Sequence, residues 1–300
     1  MTTPPRRVLP GKSYLVTRRC SERRCLLRPS RLTNDIFLFV LAIAARRYRV
    51  LVHAFCVLSN HAHLVITDPT GCLPAFMQYL DSLVARAVNA SLARFEGFWA
   101  TDGSYSAVEP LEPSDLLAKT AYVLANPVAA GLVRKGAEWP GLWTSPEQIG
   151  TAKLMAQRPK VFFDPRGLLP ESVELELAPP PGFQSLEEFR ALLSAALREL
   201  EEQHRLRLAK EGRRVLGAAR ALAQDPLARP FTREQRFKLK PRLAARDTWK
   251  LIEGIFSDKS FRQDYRQAWS DRRAGMANVL FPAGTYLLRI LHGVQCAGAA

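Results

Sequence analysis

The sequence predicts an α+β chain: an antiparallel sheet with helices on one face, then a mostly helical, basic extension. Three observations lead there. Over the first 150 residues, segments of strand and helix character follow the order strand, helix, strand, strand, helix, strand, helix. Two of those strands are separated only by Ser59 and Asn60, which is tight-hairpin spacing. Beyond residue 150 the apolar runs give way to prolines and then to long charged stretches.

Each element has its own signal. SYLVTRR (Ser13 to Arg19) is β-branched and aromatic enough for a first strand. Thr33 is expected to cap a helix over NDIFLFVLAIAARRYR, whose closing arginines suit a helix C-terminus. Val50 to Leu58 and His61 to Thr67 form the hairpin. Leu73 to Phe95 repeats apolar residues at the helical period through Phe76, Leu80, Leu83, Val84, Ala87 and Val88. A short strand is expected around Ser104 to Pro110. Ser114 and Asp115 then open a helix that Pro127 stops. This order suits the ferredoxin-like arrangement and closes near Gly150, giving a first domain over 1–150. Residues 151–184 read as a proline-rich linker or surface arm. Residues 185–300 read as a mainly helical basic extension, with a charged helical stretch from Leu186 to about Ala223 that forms a solvated helix or a coiled-coil-like hairpin, a basic segment from Arg233 to Arg246, and a closing hairpin within Val279 to Leu291.

Composition bounds the function. The chain has 300 residues, 47% hydrophobic and 24% charged, as a folded globular protein has. The apolar run Ile36 to Ala45 is too short to cross a bilayer, and no leader is visible, so the cytoplasm is the expected compartment. The five cysteines, Cys20, Cys25, Cys56, Cys72 and Cys296, are irregularly spaced and read as reduced thiols. A formal charge of +15, spread over both halves, attracts polyanions, of which nucleic acid is the commonest.

Two motifs carry chemistry. In a strand, alternate side chains share a face, so His61 and His63 of LSNHAHLVI point the same way while Leu64 and Ile66 anchor the other face. Two such imidazoles hold a divalent ion or stand as a half-buried structural pair. Tyr122 and Asn126 lie four residues apart, one turn along the same helix. If that face meets the sheet, Asn126 completes a metal site and Tyr122 holds its phenol beside it. Otherwise Tyr122 buries its ring and Asn126 caps the helix before Pro127. Tyr105 and Tyr79 compete as nucleophiles, but neither has a ligand-capable partner at helical spacing.

LSNHAHLVITDP followed by AYVLANPVAAGLV resembles the single-tyrosine HUH transposases, in particular the REP-associated tyrosine transposases. His-Ala-His satisfies the HUH pattern. Tyr122, Asn126, Pro127 and Gly131 to Val133 match the second signature, and WPGLWTSP (Trp139 to Pro146) is similar to the stretch that follows it. The resemblance covers about Lys12 to Gly150. It implies a nuclease and strand transferase acting on single-stranded DNA, with palindromic hairpins as substrate. By the same resemblance His61, His63 and Asn126 would hold Mg²⁺ or Mn²⁺, and Tyr122 would form a 5′-phosphotyrosine and free a 3′-hydroxyl. Because imidazole is an unusual ligand for magnesium, manganese is expected to bind more tightly. The family usually has proline before the Asn-His of this strand, where Ser59 stands here.

DNA contacts are expected from Arg18, Arg19, Arg23 and Arg24, with Arg28 and Arg31 beside them, and from Arg236, Lys238 and Lys240 in the extension. Trp99, with Phe98, Trp139 and Trp143, is a candidate for stacking on unpaired bases, with core packing the equal alternative for each. The protein is expected to act as a monomer or homodimer. Two rival readings stay open: a non-catalytic or domesticated DNA-hairpin-binding regulator, and a metal phosphodiesterase that uses water instead of Tyr122.

Overall fold

The computed structural model describes residues 5–101, 104–230 and 241–298. The chain runs β1 (Lys12–Arg19), α1 (Arg31–Tyr48), β2 (Leu51–Leu58), β3 (His61–Asp68), α2 (Leu73–Ser91), β4 (Ser106–Pro110), α3 (Pro113–Ala129), β5 (Lys153–Gln157), β6 (Ser172–Glu176), α4 (Leu186–Lys210), α5 (Ala218–Leu222), β7 (Leu243–Ala244), α6 (Thr248–Arg273) and α7 (Leu287–His292). The main sheet has the order β2-β3-β1-β4-β7. Its first four strands are antiparallel, and β7 adds a short parallel edge through Glu109–Leu243 and Pro110–Ala244. The sheet is therefore mixed, where a wholly antiparallel one was expected.

Helices cover both faces of this sheet, which corrects the expectation of one. Tyr14, Val16, Phe55, Val57, Leu64 and Ile66 face α1 and α2 in one core. Leu15, Cys56, Leu58, Val65 and Val108 face α3 and α4 in the other. The physical reason lies in LVHAFCVL and HAHLVITD, whose residues are buried on both sides almost without a break. A strand that met water on one face would alternate.

Several element boundaries also shift. Ser30, not Thr33, caps α1: its hydroxyl accepts from the Thr33 backbone N–H. Helix α3 starts at Pro113, where Glu112 and Asp115 cap each other's backbone. Pro127 lies inside α3 rather than after it, two residues before the end, and Gly131 at φ 73° supplies the left-handed stop. The proline-rich stretch read as an arm contains β6, which pairs with β5 and buries Val173, Leu175 and Leu177 in the α1 core. The long charged helix is interrupted, with Gly212 and Gly217 at positive φ separating α4 from α5. The closing hairpin is replaced by α7. All five cysteines are free thiols. Among the described residues no helix is long and apolar enough to cross a membrane.

One buried polar chain ties the ribbon to the sheet. The register of β2 against β3 slips between Val52 and Ala54, so His53 is a bulge residue. Its Nδ1–H donates to the Ala178 carbonyl just after β6, and its Nε2 accepts from the Thr67 hydroxyl, which pairs in turn with Ser13. Desolvation lowers the His53 pKa to about 4, opposed by the Ala178 hydrogen bond. The unfolded imidazole, near 6.5, binds its proton first. The stability carried by neutral His53 is therefore full above about pH 6.5 and disappears as pH falls toward 4, about 3 kcal/mol in all. Urea unfolding of wild type and His53→Gln should show a stability gap at neutral pH that narrows on acidification. A gap independent of pH contradicts this account.

Candidate active site

The site forms where the C-terminal end of β1, the start of β3 and the last turns of α3 converge. His61 and His63 both face α3, with ring centroids 4.7 Å apart and planes at 89°. Helix α3 approaches this face closely because Ala121 and Ala125 are fully buried against the sheet. That approach brings Asn126, itself buried, into a hydrogen bond with His61. One turn earlier, Tyr122 places its ring 5.7 Å from that of His63. The four residues singled out in the two motifs thus meet at one point.

Tyr122 is 45% exposed, although the residues on either side of it, from Thr120 to Val128, are buried. Its competitors are placed differently. Tyr105 is buried under the Arg6 guanidinium, 3.9 Å from its ring centroid, and Tyr79 packs against Tyr48 and Arg47.

Each histidine is braced from behind. His61 Nδ1 pairs with Asn60 Oδ1 at 2.6 Å, and Asn60 Nδ2 donates to the Arg23 carbonyl. His63 Nδ1 pairs with the Thr17 hydroxyl at 2.8 Å, across the β1–β3 register. The opposite nitrogen, His63 Nε2, is buried and makes no hydrogen bond. Such a nitrogen costs free energy unless something occupies its lone pair. Desolvation lowers His61 to about 4; Asn126 pulls its pKa back up, and the Arg19 and Arg23 charges lower it further. Desolvation, and then the neighbouring His61, holds His63 well below the ordinary imidazole range. Both rings are therefore neutral at pH 7, the form that ligates metals.

Two neutral imidazoles and a side-chain amide, with outer partners that fix ring orientation and an unpartnered His63 Nε2, fit a divalent cation. Asn60 and Thr17 were missed in the sequence. Asn60 could have been found from its place immediately before His61, but it reads there as a turn residue. Thr17 is visible only through strand register.

The expected DNA-contacting residues separate into groups. Arg19 and Arg23 lie close enough to His61 to depress its pKa. Arg24 joins Glu22, which also pairs with Arg229. Arg28 donates to the Leu222 carbonyl, and Arg31 is exposed beside Asp35. Arg18 is engaged internally: it pairs with Asp81 at 2.9 Å, donates to the Ala100 and Ser104 carbonyls and lies over the Trp99 ring. This guanidinium joins α2 to the loop before β4. Desolvation raises the Asp81 carboxyl to about 7 against the pull of Arg18. Arg236, Lys238 and Lys240 lie outside the described residues.

Of the four aromatics read as stacking or core candidates, Phe98 and Trp139 are buried and Trp99 and Trp143 partly buried. Phe98 is buried, and Trp99 donates to the Asp81 carbonyl beneath Arg18. Trp143 donates to the Leu124 carbonyl, fastening the loop after α3 to that helix. Trp139 is buried and donates to the Val57 carbonyl at 2.9 Å. Gly141 permits that bond, since a Cβ there would lie 2.4 Å from the indole nitrogen.

No family model matches the chain, and no curated protein matches it. Among solved structures, a REP-associated tyrosine transposase bound to a REP hairpin is similar at 17% identity and a TM-score of 0.39, over 47% of this chain and 81% of that one. A protein of Deinococcus radiodurans R1, provisionally assigned as a transposase, is similar at 18% identity and a TM-score of 0.28, over 36% of this chain and 85% of that one. The chemistry of the site rests on its own geometry.

Trp139→Phe should leave the Val57 carbonyl unsatisfied and cost about 1–3 kcal/mol in denaturant unfolding, while DNA affinity per folded molecule stays unchanged. A selective loss of DNA affinity with unchanged stability would restore the stacking role.

Proposed function

We propose that this protein is a metal-dependent single-stranded DNA endonuclease and strand transferase, a transposase-type enzyme that uses Tyr122 as its nucleophile. One observation carries the reading. A solvent-accessible tyrosine stands beside a braced pair of neutral histidines, of which His63 keeps a buried Nε2 with no partner.

In this reading His61, His63 and Asn126 hold Mg²⁺ or, more tightly, Mn²⁺. The bound ion would supply positive charge to polarise a phosphate oxygen. The protein's own groups do the rest. Arg19 and Arg23 place positive charge beside His61, where a phosphodiester would lie, and preorganised charge of this kind favours the developing negative charge. The α3 backbone holds Tyr122 on the solvent side of His63, open to an incoming strand. Tyr122 Oη attacks phosphorus, a Tyr–O–P bond forms and the P–O3′ bond breaks. The phenolic proton is balanced by the one the leaving 3′-oxygen gains. The product is a 5′-phosphotyrosine with a free 3′-hydroxyl. Because the phosphodiester energy is conserved in that bond, a 3′-hydroxyl can reverse the step without ATP.

A labelled single-stranded hairpin pool, incubated with Mn²⁺ and resolved on a denaturing gel, should yield a protein–DNA band. Tyr122→Phe and His63→Ala should abolish it. Thr17→Val, which removes only the outer partner of His63, should raise the Mn²⁺ concentration needed for half-maximal adduct by about 10–100-fold. Cleavage that persists in Tyr122→Phe would indicate attack by water, and binding without cleavage would indicate a regulator.

A further inference from the structure

Helix α6 is fastened to the body along one side. Phe261 and Ala268 are buried, Phe261 sits near Tyr265, and Gly254 abuts Leu111 and Leu243. Asp258 pairs with Arg242 and Arg262, and Ser257 accepts from Arg7. By the helical period the opposite side is the stripe Trp249, Ile252, Phe256, Lys259, Gln263 and Arg266, all exposed. Trp249 is 75% exposed and Phe256 64%. Lys259 lies over the outer ring, with Nζ 5.5 Å from the Phe256 centroid. Neither Lys259 nor Arg266 forms an ion pair among the described residues, and the stripe contains no carboxylate. Glu253, on its shoulder, is matched by Lys250.

We infer that this stripe is a second contact for single-stranded DNA, a stacking track for the strand that enters or leaves the site of Tyr122. The inference rests on the function proposed above. Charge complementarity selects the occupant. A second copy would bring another formal +15 and set Lys259 and Arg266 against a stripe with no acid to answer them. A polyanion meets both cations and offers a flat base to each ring. Trp249 and Phe256 are about 10 Å apart along the axis, and Trp249 to Arg266 spans about 26 Å, room for several nucleotides. The Arg246 backbone N–H donates to Asp115 in the first turn of α3, placing the start of α6 near the root of the helix that carries Tyr122. From Asp115 to Tyr122 the rise along α3 is about 10 Å. The track therefore starts within reach of a strand held at the active site.

The test compares a hairpin oligonucleotide with the same hairpin bearing an unpaired thymidine tail of about twelve nucleotides at either end, by fluorescence anisotropy with wild-type protein. One tail should tighten binding by about tenfold or more. Trp249→Ala with Phe256→Ala should erase that gain while leaving tailless affinity, adduct yield on the tailless hairpin and melting temperature unchanged. Lys259→Gln with Arg266→Gln should reduce the gain and flatten its salt dependence. A tail that gives no gain, or a gain that survives the aromatic pair of substitutions, overturns the inference. So does a change of sedimentation coefficient in those variants, or loss of anionic-vesicle binding with DNA binding intact, since either assigns the stripe to another partner. A tail gain without any adduct in wild type would defeat the nuclease reading and leave this contact standing.

Discussion

The close seating of α3 on the β1–β3 face is the contact on which the site depends. Ala121 and Ala125 present no side chain beyond Cβ, so the helix approaches near enough for Asn126 to bond His61 and for Tyr122 to stand beside His63. The seating is secured from several directions. Trp143 bonds the Leu124 carbonyl, Glu201 of α4 accepts from the Gly136 backbone N–H, and Phe189 and Leu193 close the core from the far side. Past Gly131 the Leu216 and Gly217 backbone N–H groups donate to the Gly131 and Leu132 carbonyls. A larger residue at 121 or 125 would lift the helix and separate the four side chains together.

Much of this was legible in the residues. The period-2 rule places His61 and His63 on one face, the helical period places Tyr122 with Asn126, and Ser59-Asn60 marks the hairpin turn between β2 and β3. What was not legible depends on partners distant in sequence. The second helical layer follows from strands apolar on both faces, a pattern already present in VLVHAFCVL but equally compatible with one buried face and a few incidental apolar residues. Arg18 looks like its neighbours in the sequence, and its contact with Asp81, 63 positions away, is not visible there. Trp139 and Trp143 read equally as stacking or core aromatics, and the choice needs the loop that carries them back onto β2 and α3.

The later part of the chain is packed around the site region as well as following it. The β5–β6 ribbon covers α1, α4 covers α3, and Gln224 reaches Ser59 in the hairpin turn next to Asn60. Arg229 meets Glu22, and the Cys25 backbone N–H donates to the Ala228 carbonyl, so the loop after β1 is held in its positive-φ turn at Glu22 and Arg23 by residues two hundred positions away. That turn provides both the Asn60 anchor and the Arg23 charge beside His61. The fold thus couples its later segments to the electrostatics of the histidine pair.

The most direct measurement is mass spectrometry of the covalent complex after protease and nuclease digestion. The account predicts a nucleotide remnant linked through its 5′-phosphate to the peptide carrying Tyr122, and to no other tyrosine. A remnant on Tyr105, Tyr79 or a non-tyrosine side chain, or intact peptides beside cleaved DNA, would contradict it.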